Sequence, residues 1–221
     1  KYSSKEIIQR KLLYILNRLT IKNYSKLFDE MLKLYLSLKT SDDFIEFCKI
    51  LIKKGFDESI FSHLYSRVCK DFSIYISQTD KFKLNELIIS IFESKIFLFS
   101  KEAIENIYLN KIFNSNRAKL ISIIKFLTDL IKDEFFIDPK RWLNILMLNI
   151  KKEPNQKLQA LWIECLCKFL TSIDNKNLLL ESPETIYLFK SILSDRFEFV
   201  LIPRIKFMIN SLIKDINFNE S

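Results

Sequence analysis

Glycine is almost missing from this chain, at one residue in 221, and there are only four prolines. A sequence so poor in helix breakers reads as all-helical. The single glycine also excludes a glycine-rich phosphate loop or dinucleotide-binding turn, each of which needs several glycines at fixed spacing. Histidine is equally scarce: only His63 is present, and it reads as a surface or helix-end residue rather than as the base of a nucleophilic pair. The acidic pairs Asp42 with Asp43 and Asp133 with Glu134 fall near expected helix ends, where capping accounts for them. No enzyme activity and no cofactor is expected. Long apolar runs are also lacking. The longest candidate, "IISIFESKIFLF", is interrupted by Glu93 and Lys95, short of the roughly 18 to 20 residues that cross a bilayer. The opening "KYSSKEIIQR" has no apolar core of the kind a signal peptide needs. A soluble chain in a reducing, cytoplasmic compartment, with no membrane contact, is the expectation.

What is abundant is apolar surface at helical spacing. Hydrophobic residues make up 48% of the chain and recur at three- and four-residue intervals. Ile8, Leu12, Ile15, Leu16 and Leu19 share one face, and Tyr24, Leu27, Phe28, Met31, Leu32 and Tyr35 share the next. Thr20 between them suits a cap. Ser41, Asp42 and Asp43 read as a third helix start, with Gly55 as its left-handed end and Asp57 opening a fourth helix. Asp138 with Pro139 and Ser182 with Pro183 are cap-and-proline starts, and Pro154 and Pro203 mark two more. These signals predict about ten helices, paired every 40 to 45 residues or so, the period of HEAT-like repeats. With no long Gly-, Ser- or Pro-rich linker, residues 1–221 read as one α-α superhelix of about five antiparallel helix pairs.

Two of the four cysteines stand one residue apart in "ECLCKFLTSID". On a helix, residues two apart point about 200° away from each other. Cys165 therefore joins the stripe of Leu158, Leu161, Trp162, Phe169 and Leu170, and Cys167 points away. Such a pair cannot grip one metal, and Cys48, Cys69 and His63 do not complete a ligand set. No metal site is expected, and the cysteines are read as packing.

The same segment resembles the Glu-Cys-Leu-Cys-Arg-Leu-Leu-Thr-Thr-Ile-Gly stretch of the middle (MIF4G, HEAT-repeat) domain of eukaryotic translation initiation factor 4 gamma. Four further segments resemble that family in the same order: "ILNRLTIKNY" from Ile15, "GFDESIFSHLYSRVCKDF" from Gly55, "IKFLTDL" from Ile124 and "RIKFMI" from Arg204. Individually they are ordinary apolar helices; their order and spacing across nearly the whole chain make the match specific. Departures include Ile21 where proline is usual, Ser122, Ile123 and Thr128 where glycines occur, and a short connection near Lys95 to Lys101 where relatives carry a charged insertion. The resemblance implies a translation-initiation scaffold that binds and stimulates a DEAD-box RNA helicase, contacts RNA without sequence preference and meets other initiation factors. A related scaffold of nonsense-mediated decay, nuclear cap binding or splicing, or a translational regulator, is the alternative.

Carried over residue by residue, the resemblance puts helicase contacts at Leu16, Asn17, Arg18, Leu19, Thr20 and Tyr24, and at Phe56, Asp57, Glu58 and Phe61. Leu16, Leu19 and Tyr24 also sit on apolar stripes, where a core role competes. The 35 Lys and Arg against 27 Asp and Glu give a net charge of +8, which favours an anionic partner. Lys53, Lys54, Arg117, Lys119, Lys140, Arg141, Arg204 and Lys206 are the candidate phosphate contacts. Trp142 beside Arg141 is either a stacking face or core, and core is favoured by its apolar neighbours.

Overall fold

A computed structural model describes residues 3–105, 110–135, 138–173, 183, 187, 191 and 203–215. Among them are nine α-helices and no strand: α1 (Ser4–Leu16), α2 (Tyr24–Leu36), α3 (Ser41–Asp57), α4 (Ser62–Tyr75), α5 (Gln78–Glu105), α6 (Asn110–Lys132), α7 (Pro139–Lys152), α8 (Gln156–Ser172) and α9 (Pro203–Asp215). Short 3-10 turns, Ile21–Asn23 and Ser59–Phe61, lead into α2 and α4. Helix starts follow local chemistry. Ser3 with Glu6 and Thr40 with Asp43 form reciprocal capping boxes on α1 and α3. The Asp138 carboxylate accepts the Lys140 N–H at 2.9 Å, with Pro139 in the first turn of α7. Pro203 opens α9, and Pro154 stands just before Asn155, the cap of α8. The expected cap at Ser182 lies outside the described residues.

The helices stack in two layers. α1, α3, α5 and α7 form one: α1 packs on α3 and α3 on α5, and Phe92 of α5 meets the Trp142 ring of α7 at 5.7 Å. The other is α2, α4, α6 and α8, with α4 on α6, α6 on α8, and Tyr35 of α2 edge-on to Phe72 of α4 at 5.1 Å. Successive helices pair across the layers, as in a HEAT-like superhelix, and α9 packs on α8. Phe47, Phe72, Phe92, Phe126, Phe169, Trp142 and Trp162 are fully buried along the seam. Trp142 is therefore core and offers no stacking face. Two buried serines of α4 bridge the layer polar-to-polar: Ser62 donates to Asp129 of α6 and Ser66 to Asp133 just past its end. Asp133 thus has an inter-helix partner, which its position near a helix end did not reveal.

Three local expectations change. Gly55 does not end α3 in a left-handed cap; it lies inside the helix, which continues to Asp57, and Asp57 opens no helix of its own. A Cβ at Gly55 would stand 2.5 Å from Cε1 of Phe126, so glycine is needed there for the close approach of α6. The left-handed position falls instead on Glu134, with φ of 56°, just past α6. Residues Lys95 to Lys101 are not a connection, since α5 runs without a break to Glu105. Cys167 is as buried as Cys165, because the helices packed on α8, α6, α7 and α9 among them, bury it all round from Ala160 to Cys167. Burial pushes all four thiols up, that of Cys167 to about 12.

Candidate functional site

The turns between α1 and α2 and between α3 and α4 lie on the same rim. α2 and α4 run in one direction: Tyr24, the first residue of α2, meets Asp71 and Arg67, while Tyr35 near its other end meets Phe72 and Asp80. The 3-10 turns that enter the two helices therefore lie at the same end of their helix pairs, with the start of α2 level with the Arg67 to Asp71 stretch of α4.

The first turn is held by Asn23. Its Oδ1 accepts the Thr20 N–H and its Nδ2 donates to the Arg18 carbonyl, both at 2.7 Å. Asn17 ends α1, with its N–H donating to Leu13 O at 2.9 Å, and its side chain is exposed. The Arg18 guanidinium lies 4.6 Å from the ring centroid of Tyr14, a cation–π contact that fixes a charge on an aromatic platform. Ile21 beside it is 73% exposed. On the next turn Ile60 and Phe61 are exposed as well, at 77% and 47%, beside the exposed carboxylate of Asp57. Isolated exposed apolar residues are ordinary, but three on two such turns, with a cation held on Tyr14 and an exposed carboxylate, have the composition of a docking surface.

Of the ten expected partner contacts, five reach this surface: Asn17, Arg18, Thr20, Asp57 and Phe61. Leu16, Leu19, Tyr24 and Phe56 are core. The Tyr24 hydroxyl donates to Asp71 at 2.7 Å, and burial with that acceptor raises its pKa, so it acts as a neutral pillar behind the turn. Phe56 is edge-on to Phe92 and Phe126 at 5.1 and 5.8 Å. Glu58 is occupied internally, accepting from Lys54 and from Tyr65 Oη. Burial pushes its carboxyl up, but those two donors and the Lys54 charge outweigh it and hold the carboxyl below its usual range. Tyr14, Ile21, Asn23 and Ile60 complete the rim and were not singled out from sequence. The turn-forming "TIKN" was the available signal for Asn23.

The eight candidate phosphate contacts do not form one track. Arg117 makes a bidentate pair with Glu164, a residue only 1% exposed, through bonds of 2.8 and 2.6 Å, and Arg204 approaches the same carboxylate at 3.4 Å. These two arginines tie α6 and α9 to α8. Arg141 pairs with Glu93 across α5 and α7, and Lys54 with Glu58. Lys140 lies on α7 and Lys206 on α9, while Lys53 and Lys119 lie elsewhere, on opposite walls of a cleft.

That cleft opens between α3, α5 and α6. Lys49, Lys53 and Asp57 stand on its α3 wall, Lys95 on α5 and Lys119 on α6, over a floor of Phe56, Ile91, Ala118 and Ile123. Ser94, Ser115 and Ser122 line it too, and their small side chains leave the room that larger residues would fill. Among the described residues no group of three or more His, Cys, Asp or Glu side chains gathers to hold a metal, and no helix is long and apolar enough to cross a membrane.

No protein-family model matches the chain, and no curated protein matches it by sequence. Among solved structures, the MIF4G domain of Trypanosoma cruzi translation initiation factor EIF4G5 superposes with a TM-score of 0.65 at 16% identity, covering 96% of this chain and 96% of that one. The chain has the fold of a MIF4G domain.

Proposed function

We propose that this chain is a noncatalytic scaffold of cytoplasmic translation initiation, docking a DEAD-box RNA helicase on the rim formed by its first two helix turns. The observation that carries the reading is the surface of Arg18 on Tyr14, Ile21, Asp57, Ile60 and Phe61, on a fold like that of a translation initiation factor domain. The sequence segments around both turns, "ILNRLTIKNY" and "GFDESIFSHLYSRVCKDF", resemble that family at these places.

A stiff superhelix with contacts at fixed separation can hold a two-lobed helicase in one arrangement. It shifts the lobe equilibrium only by as much as it binds one arrangement better than the other. Buried Leu16, Leu19 and Tyr24 contribute by holding the turn in place, while Asn17, Arg18 and Thr20 present its outer face. RNA contact belongs to the reading through Lys140 as a sequence-independent phosphate contact; Arg117, Arg141 and Arg204 are already engaged by carboxylates.

Arg18→Glu and Asp57→Lys test the rim. Each reverses an exposed charge, which normally moves stability by less than about 0.5 kcal/mol, whereas a desolvated interface charge costs about 2 kcal/mol or more in binding. Calorimetric titration with the helicase, with melting curves alongside, is expected to show binding and ATPase stimulation weakened at least about tenfold in a folded chain. Unchanged binding by both variants would place the helicase elsewhere.

A further inference from the structure

The cleft between α3, α5 and α6 shares only Asp57 with the docking rim among its described lining residues, and none of the rim's exposed apolar residues Ile21, Ile60 and Phe61. Its cations come from three different helices: Lys49 and Lys53 one turn apart on α3, Lys95 on α5 and Lys119 on α6. Lys49, Lys53 and Lys95 make no ion pair with a carboxylate among the described residues, and Asp57 at one end is the only acid in the lining. Like charges gathered around a low-dielectric trough repel one another, and an anionic occupant relieves that repulsion.

The floor narrows the class of anion. It is apolar, built from Ile91, Ala118 and Ile123 with the edge of Phe56. Phosphates gain nothing from such a floor. Nucleobases would need an aromatic face to stack on, and the one ring among the described lining residues, Phe56, is 8% exposed and already packed against Phe92 and Phe126. The described lining residues also include no arginine, the residue best suited to forked phosphate contacts. An amphipathic peptide with carboxylates beside apolar anchors matches both parts at once, and a trough between helices is the shape that receives a helix.

We propose that this cleft binds an acidic amphipathic helical segment of a partner protein. Its apolar face lies on Ile91, Ala118 and the Phe56 edge. Its carboxylates, one helical turn apart, pair with Lys49 and Lys53, and Lys95 closes the opposite side.

The test uses the 221-residue chain and three fluorescent probes: a helical peptide patterned with Glu and Leu, the same peptide with every Leu replaced by Ser, and single-stranded oligouridine. Anisotropy is read at low and at physiological salt. The Glu/Leu peptide is expected to bind, the Ser version at least about tenfold more weakly, and oligouridine no better than the Ser version. The triple variant K49E/K53E/K95E, at exposed or half-exposed positions, and Ala118→Trp, which fills the trough without altering charge, are each expected to lose that binding. Circular dichroism and a melting curve confirm that both fold, and Ala118→Trp decides the matter if the triple variant does not. Equal binding of the Ser peptide would show that the floor is unused and overturn the proposal. Tighter binding of oligouridine would overturn it in favour of RNA, and Glu/Leu peptide binding that survives Ala118→Trp would place the peptide elsewhere.

Discussion

At the residue scale, the chain's one glycine and the one left-handed residue among those described are in different places, and each predicts its own response. In an exposed helix Gly→Ala gains about 1 kcal/mol. At Gly55 the new Cβ meets the Phe126 ring, itself fully buried and unable to retreat. Gly55→Ala is therefore expected to destabilise the fold, by about 1–3 kcal/mol as overpacking does. Glu134→Gly is expected to stabilise by about 1 kcal/mol, the relief of a left-handed conformation that costs a non-glycine residue about that much. Its ion pair with Lys70 spans 3.8 Å at the surface and contributes little to offset this. Urea unfolding of both variants checks the pair, and a stable Gly55→Ala would mean that α3 and α6 are further apart. The sequence showed that glycine was rare, but it did not show which use the single glycine served, because a cap and a close approach look alike until the facing helix is known. The cysteines make a second test. Burial raises all four thiol pKa values above those of an unfolded chain. Their stabilising contribution is complete below the unfolded value of about 8.5 and is lost as pH rises through the interval up to the folded values. Native protein at pH 8 is expected to resist alkylation, and stability is expected to fall progressively above about pH 9. Rapid labelling of the native chain would show that α8 is not enclosed.

At the element scale, helix existence was legible and helix neighbours were not. The stripe of Ile8, Leu12, Ile15 and Leu16 and the Asp138–Pro139 start correspond to α1 and α7 as found. Periodicity identifies which face is apolar, but it cannot say how many other helices cover a helix. Among the described residues α8 is contacted by α5, α6, α7 and α9, so Cys167 is buried on the side opposite to Cys165. For the same reason Leu16, Leu19, Tyr24 and Phe56 carried two readings in the sequence, and packing decides them as core. Cations suffered more. Arg117, Arg141 and Arg204 find their carboxylates on helices distant in sequence, as with Glu164 for Arg117, and nothing local announces such a partner. The α1–α2 turn gives the prediction that belongs here. Asn23 closes it with two side-chain bonds, to the Thr20 N–H and the Arg18 carbonyl. Asn23→Ala is expected to cost about 1 kcal/mol of stability, and to weaken helicase binding although Asn23 itself need not touch the partner. If binding is lost, Asn23→Asp, which keeps one of the two bonds, should lie between the variants. Full binding by Asn23→Ala would mean that the turn is rigid without its clamp.

At the scale of the whole molecule, a superhelix whose repeats touch only their neighbours can unfold piecemeal, and what opposes this is a helix shared by both halves. α6 has that position: it packs on α3 and α4 on one side, on α8 on the other, and on its own partner α5. Its Phe126 stacks on Phe92 at 5.9 Å, and Phe92 reaches Trp142 of α7, so one aromatic chain joins the third, fifth, sixth and seventh helices. Arg117, also on α6, bonds Glu164 on α8, which in turn draws Arg204 of α9. Damage at α6 should therefore be felt in both directions, while damage at an end should stay there. Phe126→Ala is expected to cost about 3–5 kcal/mol and to speed amide exchange in α3 and α8 together. Leu12→Ala, a fully buried residue of α1, is expected to cost about 2–5 kcal/mol yet to speed exchange mainly in α1, α2 and α3. Hydrogen exchange followed by mass spectrometry separates these outcomes, since openings that belong to one cooperative unit accelerate by the same factor. If Phe126→Ala left α8 protected, the two halves would be independent units. A rigid spacing between contacts on the first turns and on the last helices would then be unavailable to any partner, and the scaffold reading would reduce to its N-terminal rim.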